Sequence, residues 1–222
     1  MEFLSSIFNP IVELMRTLLT YAFQLTEMVG FPSYGVAIIL LTIVIKAILA
    51  PLTVKQIKSM KAMQELQPRM KAIQDKYKND PQRMQQEIGN MYKEMGVNPL
   101  AGCLPLLVQM PFLIAIFYAL QNYPYDPNFV QFLWLPSLGE TDPYYILPVL
   151  SAVSTWLMSR QTSQGATGAA ASQQKMMMWF MPLFIGYISL NFPAGLVIYW
   201  IVSNVFQFVQ QHFIYKGLEA NK

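Results

Sequence analysis

Stretches free of Asp, Glu, Lys and Arg stand out along the chain before any other feature. A helix needs roughly 20 apolar residues to cross about 30 Å of hydrocarbon, so such windows are candidate membrane spans. Tyr34 to Thr53 is apolar apart from Lys46, Asn98 to Asn122 and Pro143 to Ser159 carry no charge, and Met176 to Tyr215 carries none with His212 neutral. The last window would make a helix of about 60 Å, twice the bilayer core. Asn191-Phe192-Pro193-Ala194-Gly195 in its middle is a turn signal, which divides it in two. The pattern predicts five spans, at 34–53, 98–122, 143–159, 176–190 and 196–215. They are joined by segments 54–97, 123–142, 160–175 and 191–195 and followed by a tail at 216–222. The fourth span, at about 22 Å, calls for a locally thinned or hydrated bilayer.

Residues 1–30 follow a different rhythm. Asn9, Glu13, Arg16, Thr20, Gln24 and Glu27 recur at spacings of three and four, while Ile7, Phe8, Ile11, Leu14, Met15, Leu18 and Leu19 fill the other side. That is the pattern of an amphipathic helix lying in the membrane interface. A cleaved signal peptide is disfavoured, because the stretch has no basic n-region and no small-residue cleavage site. Within 54–97, Ile57, Met60, Met63, Leu66, Met70, Ile73 and Tyr77 predict one helix, and Met84, Ile88, Met91 and Met95 a second. Asn79-Asp80-Pro81 separates them, with Asp80 placed to cap a helix that begins at Pro81. A helical hairpin follows.

Composition supports the membrane reading. Hydrophobic residues make up 54% of the 222 and charged residues 12%, against about a quarter in ordinary soluble domains. That is too little charge to cover a globular surface. The single Cys103 forms no internal disulfide and no thiolate metal cluster, which excludes a disulfide-stapled secreted scaffold. The placement of charge is more informative than its sum of +3. Thirteen of the fifteen Lys and Arg fall in 54–97, 160–175 and 216–222, while 123–142 has none and carries Asp126, Glu140 and Asp142. By the positive-inside rule the N-terminal helix is outside, and the basic hairpin and the C-terminus are cytoplasmic. The fold class expected is an all-α membrane protein with five spans, an interfacial N-terminal helix and a cytoplasmic hairpin.

Lys46 is the most informative residue. It lies nine residues, about 13 Å of helix, before Lys55, and so starts near the middle of the first span. A charge there costs about 2.5 to 3.5 kcal/mol on insertion scales. The five spans hold no Asp or Glu to pair with it. Lys46 could snorkel to the cytoplasmic interface, lose its proton in a dry site, or face a water-filled cavity inside the bundle. The cavity is favoured by uncharged polar residues on other spans: Gln109, Ser151, Ser154, Thr155, Ser203, Asn204 and Gln207. Each could equally make a local helix-packing hydrogen bond. Together they predict a polar, net-positive groove. Proton relays and cation sites want carboxylates, so such a groove suits the admission of polar or acidic polypeptide part-way into the bilayer.

The residues resemble the YidC/Oxa-type membrane protein insertases. The resemblance covers nearly the whole chain after about residue 30 and rests on four motifs in order. They are Ile-Lys-Ala-Ile-Leu-Ala-Pro-Leu-Thr at 45–53 with Lys-Gln-Ile-Lys-Ser-Met-Lys-Ala-Met at 55–63, Lys-Tyr-Lys-Asn-Asp-Pro-Gln at 76–82, Gly-Val-Asn-Pro-Leu-Ala-Gly-Cys-Leu-Pro-Leu-Leu-Val-Gln-Met-Pro-Phe at 96–112, and Asn-Phe-Pro-Ala-Gly-Leu-Val-Ile-Tyr-Trp-Ile-Val-Ser-Asn at 191–204. The resemblance implies a five-helix core whose groove opens to cytoplasm and lipid and is closed outside, in the compact form without a large extracytoplasmic domain. It implies a non-enzymatic insertase and chaperone of the bacterial plasma membrane. Its implied partners are nascent membrane proteins, the bilayer, the ribosome, and the Sec translocon and signal recognition particle system. It calls for no cofactor and no metal. The family's groove cation is usually Arg. Lys46 at the matching position keeps the charge and loses the planar fork. Gln109, Gln161, Tyr199 and Trp200 fall where the family contacts its groove or substrate, and Asn204 joins them as a polar residue of the last span.

Recruitment would fall to the hairpin, through basic Lys55, Lys58 and Lys61 and the flexible thioethers of Met60, Met63, Met70, Met84 and Met91. Two other classes compete. A small-solute channel or transporter would line a continuous polar path and usually show an internal repeat, which the sequence does not display. An intramembrane hydrolase would need a nucleophile with a base, and the lone His212 has no acidic neighbour within the spans.

Overall fold

The computed structural model describes residues 2–97, 104–121, 123–162 and 169–220. The expectations that fall on 98–103 and 163–168, including Cys103 and the start of the second span, lie outside the described residues. Eight α-helices occur among them: α1 Glu2–Met28, α2 Tyr34–Ile48, α3 Ala50–Lys76, α4 Pro81–Glu94, α5 Leu104–Gln121, α6 Ile146–Thr162, α7 Ala169–Ser189 and α8 Ala194–Ala220.

Local chemistry sets the ends of several helices. Ser33 is extended (φ −156°) and its side chain accepts from Val36 N, which starts α2. Asp80 accepts from Arg83 N at 3.1 Å and Pro81 follows as the first residue of α4, so the sequence signal is realised atom for atom. The first apolar window, read from sequence as one helix to Thr53, is broken. α2 and α3 meet at Leu49 with a bend of 65°. Pro51 supplies no amide hydrogen and its ring crowds the carbonyl four residues back, so a straight helix cannot continue through it. α7 begins earlier than the predicted fourth span and α8 runs on past Tyr215.

Among the described residues no single helix is both long and apolar enough to cross a membrane. The bent pair α2 and α3 passes such a test together, and Gln109–Gln121 and Met178–Ser189 are shorter apolar helices.

The helices pack as a chain of neighbours. α6 lies against α7 and α8, α8 against α2, and α2 against α1, which also packs on α5. α5 and α8 touch only over a short stretch. α1 buries Val12, Met15, Leu19, Ala22, Phe23 and Thr26 and leaves Tyr21, Leu25 and Met28 exposed. The main core adds Ala37, Ile38, Leu41, Ile116, Leu120, Leu138 and Tyr199, all nearly inaccessible. A small separate cluster holds the hairpin: Leu66 and Met70 of α3 against Met91 of α4, flanked by Ile73, Ile88 and Tyr92. Tyr92 donates to Met70 Sδ at 3.2 Å, and burial pushes its phenol pKa up.

Segment 123–142 closes one end of the bundle through its backbone and one carboxylate. Ala194 N donates to Glu140 O at 2.7 Å and Gly195 N to Leu138 O at 2.9 Å, so the segment satisfies the first amides of α8. A Cβ on Gly195 would meet Ile38 Cδ1 at 3.1 Å and Leu138 O at 3.3 Å. Gly195→Val is therefore expected to destabilise the protein by about 1–3 kcal/mol, the usual cost of overpacking, read as a lower melting temperature in detergent. Asp142, 4% exposed, binds three donors. Its carboxylate accepts from Trp134 Nε1 at 3.1 Å, Tyr144 N at 3.0 Å and Leu147 N at 2.6 Å, and so caps the start of α6.

Candidate functional site

The site is built where α2, α5 and α8 converge. Lys46 is carried on α2, in the last turn before the Leu49 bend. It is 6% exposed, so its side chain turns into the bundle instead of snorkelling outward. Its ammonium donates to Gln207 Oε1 of α8 at 3.2 Å and to Gln109 Oε1 of α5 at 3.5 Å. The Gln109 amide nitrogen in turn donates to the Tyr199 hydroxyl of α8 at 2.9 Å. Tyr199 OH also meets Ser203 one turn on. A polar circuit thus runs from α8 through α5 to Lys46 and back to α8. It bridges the helices where α5 and α8 have little other contact.

Two amide oxygens occupy two of the three N–H groups of the ammonium. No salt bridge to Lys46 is formed among the described residues; the Arg16–Glu13 ion pair lies on α1, away from the site. Neutral amides stabilise a buried cation by their dipoles and leave its net charge uncancelled. Gln109 and Gln207 are only half-buried, so the circuit has an accessible side although Lys46 does not. Chemically this is a cation held ready for an anionic or polar group.

The other residues singled out by sequence fall in different places. Trp200 and Asn204 lie on a neighbouring stripe of α8 and face α6. Asn204 Nδ2 donates to Ser154 Oγ at 3.2 Å and Thr155 Oγ1 at 3.0 Å, and Trp200 Nε1 to Thr155 Oγ1 at 3.2 Å. The Gln161 amide, oriented so that both partners are satisfied, donates to Phe208 O and accepts from His212 N, each at 3.2 Å. It is spent on the backbone of α8. In the hairpin Lys55 and Lys58 are exposed, Lys61 lies 4.9 Å from the Tyr215 ring centroid, Met63 and Met84 are half-buried, and Met60, Met70 and Met91 are buried. Gln207 and Ser203 were visible in sequence as polar residues of the last span; with Tyr199 they fall at i, i+4 and i+8, on one face of α8.

Comparison with known proteins bears on this arrangement. The family model described as 60Kd inner membrane protein matches residues 24–221. The chain belongs to this family, that of the YidC insertases. The membrane protein insertase YidC 2 of Bacillus anthracis is 44% identical over 191 residues, covering 84% of this chain and 73% of that relative. The membrane protein insertase MisCA of Bacillus subtilis is 41% identical over 212 residues, covering 94% and 78%. The membrane protein insertase YidC of Wolinella succinogenes is 44% identical over 190 residues, but the chain spans only 35% of its length. A crystal structure of an active YidC insertase with its first transmembrane domain resolved superposes with a TM-score of 0.67 at 28% identity, covering 92% of this chain and 45% of that one. The region matched by the family model takes in α2 to α8 and every residue of the Lys46 circuit.

Proposed function

We propose that this chain is a non-enzymatic membrane protein insertase and chaperone of the plasma membrane. It inserts and helps fold newly made membrane proteins through the polar, positively charged region around Lys46. The observation that carries the mechanism is the inward-turned ammonium held by amides of α5 and α8. A guest's acidic or polar segment would be drawn to that charge while its apolar segment moves out against lipid. Burial of the apolar segment, about 25 cal/mol per Å², and the membrane potential acting on acidic residues would supply the free energy.

The topology that fits this reading has five spans, with α1 at the outer interface and the α3–α4 hairpin and the C-terminus in the cytoplasm. The charge asymmetry of the loops supports it. The hairpin, with Lys55 and Lys58 exposed on its first helix, would meet the ribosome, the signal recognition particle system and anionic lipid. The Sec translocon would be a further partner in the membrane. Within the hairpin Met70 and Met91 hold α3 to α4, so a partner reaching them would first have to open the pair.

Liposomes containing only the purified protein provide the test. A small single-spanning guest synthesised in their presence should become protease-protected on its translocated side, with no flux of small ions or solutes. Solute flux without guest protection would contradict the proposal and favour a channel.

A further inference from the structure

The polar circuit around Lys46 is asymmetric, and the asymmetry assigns a role to a residue outside the family-derived set. Gln109 has two partners: its oxygen accepts from Lys46 and its nitrogen donates to Tyr199. Gln207 contributes the shorter contact to the ammonium, 3.2 Å against 3.5 Å, and that contact is its one side-chain hydrogen bond to another helix among the described residues. It lies on α8, on the opposite side of the thin α5–α8 seam from Gln109. An amide oxygen is a neutral acceptor, and a carboxylate is a stronger one for an ammonium because the hydrogen bond is then charge-assisted on both sides. Gln109 is anchored at both ends, so it is the harder of the two to displace.

We infer that Gln207 is a positioning and specificity-determining residue: it holds the Lys46 ammonium at the α5–α8 seam and gives up its place there to a carboxylate of the guest's translocated segment. This rests on the insertase reading of the Lys46 site and adds which partner is exchanged and where the acidic segment enters. The exchange is proton-neutral: the hydrogen bond from Lys46 to Gln207 breaks, one to the guest carboxylate forms on the same N–H, and no proton is transferred. It makes selectivity for acidic segments depend on the chemistry of position 207 and not only on the charge of Lys46. Because the exchange also removes the Lys46 link between α2 and α8, arrival of the guest loosens the seam it has to enter.

Two substitutions separate this role from a packing role. Gln207→Glu is nearly isosteric and places a carboxylate against Lys46, forming the internal ion pair that the native site lacks. Gln207→Leu removes the acceptor with similar volume. Each variant is purified at full length and placed in liposomes with two guests that share one apolar span. One guest has a translocated segment rich in Asp and Glu, and the other has the same segment with Asn and Gln. The readout is the ratio of protease-protected acidic guest to protected neutral guest.

Gln207→Glu is expected to lower this ratio about 10-fold or more, the size of one charge-assisted contact, and Gln207→Leu to lower it about 3-fold. The neutral guest, measured in parallel, takes up any effect of the substitution that both guests share. A ratio unchanged in both Gln207 variants, with Lys46→Ala lowering it, overturns the inference and leaves the insertase reading standing. Equal loss of both guests in the two variants assigns Gln207 to packing and also overturns it. A ratio insensitive to Lys46→Ala as well removes the reading on which the inference rests.

Discussion

Lys46→Glu is expected to give the largest functional loss of any single substitution, confined to guests with acidic translocated segments. The native residue presents an uncancelled positive charge in a site that is only partly solvated, where Coulomb interactions are stronger than in bulk water. One charge-assisted contact between ammonium and carboxylate contributes about 1.5–3 kcal/mol, or roughly a 10- to 100-fold effect on capture. Lys46→Ala removes that attraction, and Lys46→Glu replaces it with repulsion, so the glutamate variant should fall below the alanine one. Lys46→Arg should retain insertion, because charge is kept. The guanidinium can also use its fork to contact Gln109 and Gln207 together. Guests with neutral translocated segments should insert to a similar extent in all four proteins. Loss of neutral guests in parallel would mean that Lys46 maintains the fold around α2, α5 and α8 and does not select the guest. Protease protection in liposomes, with the melting temperature of each variant as control, provides the measurement.

The second large effect concerns stability. Asp142→Ala leaves Trp134 Nε1, Tyr144 N and Leu147 N without their acceptor in a site that is 4% exposed. Loss of a helix cap costs about 0.5–2 kcal/mol and each buried donor left unpaired about 1–3 kcal/mol. The three share one carboxylate and are not additive, so a total of about 2–4 kcal/mol is expected, or roughly 4–16 °C in melting temperature. Segment 123–142 also caps α8 through Leu138 O and Glu140 O. The same variant should therefore make 123–142 cleavable by protease at temperatures where the parent is protected. Asp142→Asn keeps one acceptor oxygen and should fall between the two. A melting temperature within about 1 °C of the parent would show that the carboxylate is not what holds this end of the bundle closed.

How much of this was legible in the sequence varied with the range of the interaction. The α3–α4 hairpin was readable because its determinants are neighbours in the chain: Asp80, Pro81 and Arg83 make the turn among themselves. The inward position of Lys46 followed from an energetic argument, since a charge in a long apolar run needs partners that its own helix cannot supply. Which partners it takes was not legible. Trp200 and Asn204 form one polar stripe on α8, and Tyr199, Ser203 and Gln207 form the next, about 100° round the helix. Nothing local says which stripe faces α2 and which faces α6. The sequence reading placed Asn204 in the groove and left Gln207 among the other polar residues, whereas packing turns Gln207 to Lys46 and Asn204 to α6.

The break at Leu49 was hidden for a related reason. Hydrophobicity continues through Pro51 to Thr53, so a pattern of apolar residues reads as one helix what the proline divides in two. The methionines show the same limit. An apolar side chain at helical spacing marks a buried face without saying what covers it, and Met70 and Met91 cover each other across α3 and α4.

The central claim is that the charged site around Lys46 is reached by solvent from the inner face of the membrane. It is tested most directly by thiol labelling in inside-out membrane vesicles, after Cys103 is replaced by Ala. A cysteine at position 109 lines the site beside Lys46, whereas one at Leu183, 68% exposed on α7, should face lipid. A water-soluble, membrane-impermeant maleimide is expected to modify Gln109→Cys, aided by the thiolate-stabilising charge of Lys46, and to spare Leu183→Cys. A folded Gln109→Cys protein that resists the reagent as completely as Leu183→Cys would contradict the account.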